Sequence, residues 1–412
     1  MTIATKQRES RDSAPTFEAP EFPADPKLPD LSKLFDPQWI WHNCGAQLPA
    51  GHGDPLRIRI HHFIHSIGRS ATVSYELGWP QDRYLPAEYF AATIRRNGSL
   101  QVNRYPQDQR LPGLVSAARP DDALRLVSEH VLTVPGRRAR VQLIRYRPTY
   151  RAVLRHIIGK VRLYARVVRP ADFEPFLAAY QRSRQSGFVV PELAGFWAEG
   201  GVMWLTEVKG RNLRTLVRKG RAPDPDLLLA HIDRLWRAPC DSGQVRAFDL
   251  LRAYRRAMRS FRHNLRDFDG ATHTLNSLAV SLDPFVEAWR PSSMAHNDFY
   301  DDQMLQLRDG RIALVDFEEI APGDPMLDIG NFLAHLRWSA HFSRQPRADN
   351  SRQYHDILRD AALARFRWNS RSLAKREAVC LFRVCTNAIR HPKEDWRERL
   401  SAGLALVAEC LG

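Results

Sequence analysis

The sequence predicts an α+β protein in which a small lobe of antiparallel strands is followed by a large helical lobe. Residues 131–209 contain short apolar runs with the alternation and turn residues of β-strands. From Asp224 onward the apolar residues recur with helical periodicity instead. A chain of 412 residues, 44% of them hydrophobic, is long enough to bury the cores of two or three such units.

An extra segment precedes the small lobe. Residues 1–30 are rich in Pro, Asp, Glu and Ser and predict a disordered leader. Residues 31–130 predict a β-rich extension with a hairpin formed by strands 58–64 and 71–77. Order is expected to begin near Leu31.

The hairpin pattern recurs about eighty residues later, at 140–148 and 152–158. The run 89–95 also parallels the run 163–169. The extension is therefore either a degenerate copy of the small lobe or an unrelated hairpin, and the few identities do not decide between them.

The small lobe itself is predicted to continue through a helix to a last strand. Pro170–Tyr180 has a helical pattern with Asp172 as the predicted N-cap. Val202–Lys209 then runs through Glu207 and Val208 to a turn that contains glycine.

The large lobe, residues 210–412, carries the predicted helices. They lie at 225–237, 244–265, 272–289, 325–343, 352–367, 371–390 and 394–410.

Composition excludes several classes of protein. No apolar run approaches the ~20 residues of a membrane-spanning helix, and Met1–Arg8 lacks the apolar region of a secretory signal. A cytoplasmic protein with no membrane partner is therefore predicted. The five cysteines form no Cys-x-x-Cys pair, so neither a disulfide framework nor a zinc site is indicated.

The formal net charge of +15 comes mainly from arginine, since only eight of the 61 basic residues are lysines. Arginine binds phosphate through a planar fork, so an anionic or nucleic-acid partner has to be considered. The arginines are spread along the chain, without a dense basic tract interleaved with aromatic residues. A nucleic-acid-binding protein remains an alternative that the sequence does not favour, and the oligomeric state stays open.

Three polar residues have the spacing of a phosphoryl-transfer site. Asp298 and Gln303 lie five residues apart across a polar connector, and the apolar run 312–315 leads directly into Asp316. Phosphoryl transfer needs mainly positioning, with one carboxylate for the hydroxyl proton and an amide oxygen and a second carboxylate for divalent metal. Asp298, Gln303 and Asp316 fit these roles in that order, and such oxygen ligands suit Mg²⁺.

The same segment reverses the charge of the chain, with nine acids and two bases between Asp298 and Asp328. This reversal indicates either a cation site or an acidic surface loop. Asp301, Asp302 and Glu319 in this segment either contact a cationic acceptor or are solvated.

The motifs His296-x-Asp298-x-x-x-x-Gln303, Asp316-Phe317-Glu318 and Gly323-Asp324-Pro325-x-x-Asp328 resemble the aminoglycoside phosphotransferase and choline kinase-like family, whose members are relatives of the protein kinases. The resemblance is specific over residues 294–336. It implies a protein-kinase-like two-lobed fold. It also implies an ATP- or GTP-dependent kinase that uses Mg²⁺ to phosphorylate a hydroxyl of a small molecule.

The resemblance implies roles for four residues in and after the catalytic loop. Asp298 would accept or orient the acceptor proton, His296 would support the loop, and Gln303 and Asp316 would bind metal. The family usually has asparagine at the position of Gln303.

On the nucleotide side, the resemblance places Arg166 where the family has a strand lysine that contacts phosphate, with Lys160 as the rival cation. Backbone groups around Glu207 and Val208 would meet the base. The segment 145–151 lies where a turn over the phosphates is expected, although it contains no glycine.

Two functions stay open on these residues. Gln303 and Arg166 depart from the family and are compatible with a nucleotide-binding pseudokinase that acts as an interaction protein. Asp298 and Asp316 are retained, which favours the active phosphotransferase. The acceptor is a sugar, an aminoglycoside, an amino alcohol or another hydroxylated metabolite.

Overall fold

The computed structural model describes residues 20–48, 57–79, 87–133, 138–239 and 245–412. The chain divides into two compact units. The first is Met1–Gln107 with Arg390–Glu394, and the second is Asp108–Ile389 with Asp395–Gly412. Residues 1–19 of the predicted leader lie outside the described residues. No helix in the described ranges is both long and apolar enough to cross a bilayer.

The first unit is built on a four-stranded antiparallel sheet in the order β1-β2-β3-β4. The predicted hairpin is present as β1 and β2, and the unit also contains a short 3-10 helix and α1. The bounds are Leu31–Phe35 for the 3-10 helix, Pro37–Gly45 (α1), Arg57–Ser66 (β1), Ser70–Gly78 (β2), Glu88–Arg95 (β3) and Leu100–Arg104 (β4).

Packing in this unit begins before the predicted start of order at Leu31. Leu28 is buried. The buried Asp25 carboxylate accepts backbone hydrogen bonds from Lys27 at 3.0 Å and Gly68 at 2.6 Å. These contacts tie the segment to the turn between β1 and β2.

The second unit opens with α2 and α3 and then forms a five-stranded antiparallel sheet in the order β5-β6-β7-β9-β8. Its elements are Leu114–Ala118 (α2), Pro120–His130 (α3), Ala139–Arg147 (β5), Arg151–Ile158 (β6), Val161–Val168 (β7), Pro170–Ser183 (α4), Leu193–Trp197 (β8) and Val202–Thr206 (β9). The N-cap prediction for Asp172 is wrong, because α4 already begins at Pro170 and Arg169 is its N-cap. Asp172 instead accepts a 2.5 Å hydrogen bond from Arg169 Nε.

The proposed repeat can be compared strand by strand. β1–β3 and β5–β7 are both three-stranded meanders, and each has an irregularity in its first strand, near His61 and Ile144. β3 then continues directly into β4, whereas β7 leads into α4 and pairs with β9. The shared topology therefore ends after three strands, and the duplication remains a hypothesis.

The helical lobe follows and has helix in each of the predicted ranges, although the range 371–390 is divided into two helices, α11 and α12. Its elements are Arg211–Asn212 (β10), Leu213–Arg218 (α5), Pro225–Trp236 (α6), Leu250–Asn264 (α7), Ala271–Ala288 (α8), Ser293–Ala295 (β11), Met304–Gln306 (β12), Ile312–Leu314 (β13), Ala321–Gly323 (β14), Pro325–Phe342 (α9), Arg347–Phe366 (α10), Ser370–Val384 (α11), Thr386–Arg390 (α12) and Trp396–Leu411 (α13). Two small antiparallel sheets, β10-β12-β13 and β11-β14, frame the loop that carries Asp298.

One hydrophobic cluster extends through both lobes of the second unit. Phe317, which follows Asp316, is fully buried and packs on α4, with ring centroids 5.5 Å from Phe176 and 5.7 Å from Tyr180. Burying an aromatic side chain of this size contributes roughly 1.5–3 kcal/mol. The same packing holds the segment after β13 against the small lobe.

A buried ionic network joins the helices α9, α10 and α11. Glu377 Oε1 accepts hydrogen bonds from Arg337 Nε at 2.6 Å and from His355 Nε2 at 2.8 Å. Burial acts to raise the pKa of Glu377, but the hydrogen bonds and charges of His355 and Arg337 hold it below its usual value.

We expect Glu377→Gln to lower the free energy of unfolding near pH 7 by about 3 kcal/mol, because it leaves the charge of Arg337 without its buried partner. A depressed carboxyl pKa stabilises the fold above the unfolded-state pKa, and the difference between variant and wild type should shrink as the pH falls below about 4. Urea unfolding at several pH values measures both. The exposed Glu398 provides the control, Glu398→Gln, and equal unfolding midpoints for the two variants would contradict the assignment.

Candidate active site

The catalytic-loop candidate is held in place by one buried carboxylate at the start of α9. Asp328 accepts hydrogen bonds from the backbone N–H groups of His296 and Asn297, each at 2.7 Å, and from the Trp236 indole at 2.9 Å. Burial raises the pKa of Asp328 to about 7, and the three donors act in the opposite direction. The sequence motif contained Asp328 but did not reveal that it anchors the loop.

Asn297 closes the turn that follows β11. Its φ of 65° lies in the left-handed region, and its amide nitrogen donates to the carbonyls of Glu319 at 3.0 Å and Ala321 at 3.1 Å. A Cβ at Gly323 would lie 2.0 Å from Asn297 Oδ1, so only glycine fits that position. The loop and β14 are thereby fixed to each other.

His296 connects the loop to the segment after β13. Its Nε2 donates to the Asp316 carbonyl at 2.8 Å, and the ring is buried. Burial lowers the pKa of His296 to about 4, so the ring is neutral at pH 7. This placement fits the supporting role that the resemblance implies for His296.

Gln303 links Asp298 to the metal-ligand candidates. The side-chain Nε2 of Gln303 donates to Asp298 Oδ2 at 2.9 Å. The backbone carbonyl of Gln303 accepts a hydrogen bond at 2.9 Å from the N–H of Val315, the residue before Asp316. An ionised carboxylate only accepts hydrogen bonds, so the amide nitrogen faces Asp298. Gln303 Oε1 is then left buried, without a partner among the described residues. This oxygen and the Asp316 carboxylate are donors of the kind that suits Mg²⁺.

The pKa of Asp298 suits a proton acceptor at neutral pH. Burial raises it to about 7, the charge of Arg383 opposes the rise, and the charges of Asp316 and Glu319 add to it. A general base works best when its pKa lies near the working pH.

Two arginines of the small lobe meet the acidic segment. Arg166 on β7 donates to Glu318 Oε1 and to the Val315 carbonyl, both at 2.5 Å, and lies 3.6 Å from Asp316 Oδ1. Arg151 at the start of β6 forms an ion pair with Glu318 and lies 3.7 Å from Asp316 Oδ2. Burial would raise the pKa of Asp316, but these arginines hold it below its usual value. Asp316 is therefore ionised at neutral pH.

The sequence identified Arg166 but missed Arg151 and Glu318. Arg166 lies opposite Val153 in the antiparallel ladder, so Arg151, two residues from Val153, shares its face of the sheet. That alternation is the signal that could have found Arg151. The sequence pattern indicated Glu318 only as the last residue of the motif Asp316-Phe317-Glu318.

The helix α4 does not supply the glutamate with which kinases orient their phosphate-binding cation. Glu174 on α4 is exposed, and the guanidinium of Arg166 instead lies over the rings of Phe176, at 5.5 Å, and Phe317, at 5.4 Å. The rival cation, Lys160, is exposed in the turn between β6 and β7.

The residues predicted to meet the nucleotide base lie between the two lobes. Glu207 and Val208 form part of the connector from β9 to β10. The Glu207 carboxylate pairs with Arg155 Nη2 at 2.5 Å, and the Glu207 N–H donates to the Arg162 carbonyl at 3.3 Å.

The turn between β5 and β6 has fewer free backbone N–H groups for a phosphate than a glycine-rich loop has. The N–H of Thr149, whose φ is 62°, already donates to Asp108 Oδ2 at 2.7 Å. The Tyr146 hydroxyl donates to the same oxygen at 2.9 Å. Phosphate recognition would therefore fall to the arginine side chains.

Two of the loop acids considered for a cationic acceptor are already paired. Arg214 on α5 donates to Asp301 at 3.1 Å and to Asp302 at 3.0 Å. Asp301 is buried rather than solvated, and Glu319 is exposed.

A family model described as the phosphotransferase enzyme family matches residues 145–368, more than half of the chain. The chain belongs to the phosphotransferase enzyme family. The match covers the strands that carry Arg151 and Arg166 and the loops that carry Asp298 and Asp316. No curated protein sequence matched this phosphotransferase family member.

Solved structures resemble this family member at low sequence identity. A choline kinase from Cryptosporidium parvum Iowa II has a TM-score of 0.50 and 10% identity, over 70% of this chain and 94% of that one. A choline/ethanolamine kinase family protein from Mesorhizobium loti has a TM-score of 0.48 and 16% identity, over 71% and 94%. A spectinomycin phosphotransferase in complex with ADP and spectinomycin has a TM-score of 0.45 and 12% identity, over 71% and 94%. The likeness to the choline kinase confirms the predicted protein-kinase-like fold.

The raised pKa of Asp298 predicts a pH-dependent stability effect. The ionised carboxylate is disfavoured in the fold, so its stability cost is absent below the unfolded-state pKa and complete above about pH 7. We expect Asp298→Asn to raise the free energy of unfolding by about 1–3 kcal/mol near pH 8 and to leave it unchanged near pH 4. Denaturant titrations at both pH values measure this. Asp360→Asn, at an exposed position of α10, is the control, and a stabilisation independent of pH would contradict the titration of Asp298.

Proposed function

We propose that this family member transfers the γ-phosphoryl group of ATP or GTP to a hydroxyl of a small molecule. The observation that carries the proposal is the hydrogen bond between the side chains of Asp298 and Gln303. The backbone carbonyl of Gln303 also accepts a hydrogen bond from Val315, the residue before Asp316. It combines a carboxyl group that titrates near neutrality with two oxygen donors for a cation.

Asp298 acts on the acceptor. As the hydroxyl oxygen forms its bond to the γ-phosphorus, the bond to the β-phosphate oxygen breaks and the nucleoside diphosphate leaves. The hydroxyl proton passes to the Asp298 carboxylate. The hydrogen bond from Gln303 Nε2 orients that carboxylate and leaves its second oxygen available.

Gln303 Oε1 and the Asp316 carboxylate would hold Mg²⁺. When bound, Mg²⁺ supplies charge neutralisation at the phosphate oxygens. His296 positions the backbone of Asp316 for this role, and because its ring is neutral it does not add a cation to the ligand set.

Arg166 and Arg151 would bind the phosphates. Both present guanidinium groups beside Asp316, and a guanidinium can make two parallel hydrogen bonds to a phosphate. The phosphates compete with Glu318 for these donors. Glu207 and Val208 in the connector would contact the base through their backbone.

One observation favours the pseudokinase as a second candidate. Arg166 and Arg151 already pair with the carboxylates of the acidic segment, and nucleotide binding has to replace those contacts. An arrangement in which the protein's own acids occupy the phosphate-binding arginines suits a protein that does not turn nucleotide over.

We expect the protein to phosphorylate at least one hydroxylated acceptor in the presence of Mg²⁺ and ATP or GTP. Asp298→Ala should lower kcat by roughly 10²–10⁴-fold, the usual contribution of general-base catalysis. Asp316→Asn should also lower the rate, with recovery at raised Mg²⁺ concentration. Phosphate transfer is followed by ³¹P NMR.

The matched control is Asp309→Asn, an exposed aspartate in the turn between β12 and β13, which should keep wild-type kcat. Thermal stabilisation by nucleotide with no transfer to any acceptor would support the pseudokinase. Transfer that persists in Asp298→Ala would contradict the assigned base.

Measurements of nucleotide affinity can decide whether Arg166 or Lys160 is the cation that contacts the phosphates. We expect Arg166→Gln to weaken nucleotide binding about 10–100-fold, the effect of losing a charge-assisted pair, and Arg166→Lys to recover only part of it. Calorimetric titration with AMP-PNP and Mg²⁺ measures the affinity. Lys160→Gln should bind as the wild type does, and the reverse pattern would assign the phosphate contact to Lys160.

A further inference from the structure

Arg383, an arginine whose charge acts on Asp298, forms no ion pair with an acid among the described residues. The guanidinium of Arg383 on α11 lies 4.9 Å from the centroid of the Phe248 ring. Its Nη1 is buried and makes no hydrogen bond to any residue in the described part of the chain. By contrast, Arg376, two turns earlier on the same helix, donates to Asp324 at 2.6 Å, and Arg214 is paired with Asp301.

Backbone contacts place the Phe248–Arg383 pair beside the catalytic loop. The N–H of Phe248 donates to the Pro322 carbonyl of β14 at 2.9 Å. β14 pairs with β11, the strand that leads into His296 and Asp298, through Ala321 opposite Ala295. Phe248 is therefore fixed one strand away from the segment that carries the base.

The charge of Arg383 acts on the same loop. It is the strongest of the charges that influence the pKa of Asp298, which it lowers, and it also lowers the pKa of His335, whose ring stacks on Tyr300. Arg151 and Arg166 approach the acidic segment from the small lobe, whereas Arg383 approaches Asp298 from the helical lobe. Arg151 and Arg166 therefore lie on the phosphate side of the proposed site, and the charge of Arg383 acts on the proposed base.

Arg383 is only partly buried, but a buried guanidinium nitrogen that makes no hydrogen bond is costly. Arginine stays protonated in proteins, so it cannot lower this cost by losing its proton, and an unmade charged hydrogen bond leaves the desolvation penalty uncompensated. An anion that enters the site removes the penalty. A cationic acceptor would instead meet a like charge, and two acids that could offset it, Asp301 and Asp302, are bound to Arg214.

We propose that the acceptor is an anionic hydroxylated molecule, whose carboxylate or phosphate monoester binds Arg383 while its hydroxyl faces Asp298. This inference rests on the proposed function, because it assigns the substrate class of the same site. The ring of Phe248 orients the guanidinium and keeps its edge available for the oxygens of the anion.

The test uses the full chain loaded with Mg²⁺ and AMP-PNP, and acceptors that share a scaffold but differ in charge. One set is glucose 6-phosphate, glucuronate, glucose and glucosamine, and a second is glycerol 3-phosphate, glycerate, glycerol and 2-amino-1,3-propanediol. Calorimetric titration should show an anionic member of at least one set binding about tenfold or more tightly than its neutral and cationic counterparts. Whether the phosphate or the carboxylate binds distinguishes the two sources of the anion.

Arg383→Gln should weaken binding of that anion about 10–100-fold, and Arg383→Lys should restore part of it. Arg365→Gln is the matched control, because Arg365 also stacks on a ring, that of Phe366, and is exposed on α10. Arg383→Lys keeps the charge and serves as the test if Arg383→Gln does not fold.

The proposal is overturned if no anionic member binds the wild type, if a neutral or cationic member binds as tightly, or if Arg383→Gln retains the affinity for the anion. Phosphate transfer to a cationic acceptor that depends on Asp298 would overturn the substrate class and leave the proposed function intact. Failure to bind AMP-PNP with Mg²⁺ would overturn the proposed function itself.

Discussion

The buried carboxylate of Asp328 is the constraint on which the candidate site depends. It binds the backbone of two successive residues, His296 and Asn297, and the side chain of a third, Trp236. Backbone N–H groups that point into a protein interior need acceptors, and a carboxylate at a helix start can satisfy two of them at once. Asn297 can then adopt its left-handed conformation, which sets the direction in which the backbone enters Asp298. Asp328 thereby positions the loop that carries the proposed base.

Under the proposed function, arginine would take the parts that protein kinases assign to a glycine-rich loop and a strand lysine. In the turn between β5 and β6, one backbone N–H group already donates to Asp108. The guanidinium groups of the adjacent strands would therefore bind the phosphates instead. Arg166 and Arg151 are long enough to reach the acidic segment from β7 and β6. Their forked geometry allows one side chain to contact a carboxylate and a carbonyl together, as Arg166 does with Glu318 and Val315.

Local spacing was enough to predict that Asp298 and Gln303 lie in one loop, because a short connector separates them, and the structure joins their side chains by a hydrogen bond. Strand alternation and helical periodicity likewise predicted most elements, since each depends on neighbours within a few residues. The predictions that failed concern features that depend on packing and on contacts between residues far apart in the sequence. Pro170 starts α4 ahead of the predicted cap at Asp172, and the helix predicted at 371–390 is interrupted at Cys385. The ion pair between Arg151 and Glu318 joins residues far apart in sequence, and no local pattern reports it.

The partner of Arg166 has a consequence for regulation. In protein kinases an inward or outward movement of the small-lobe helix makes or breaks the ion pair that orients the phosphate-binding cation. In this chain Arg166, the proposed phosphate-binding cation, is paired with Glu318, two residues after Asp316, while α4 contributes the ring of Phe176. A displacement of α4 would remove the contact between Phe176 and Arg166 but leave the ion pair between Arg166 and Glu318 in place. A movement of α4 would therefore neither make nor break the ion pair of Arg166, and control of this pair would have to act through the segment that carries Asp316 and Glu318.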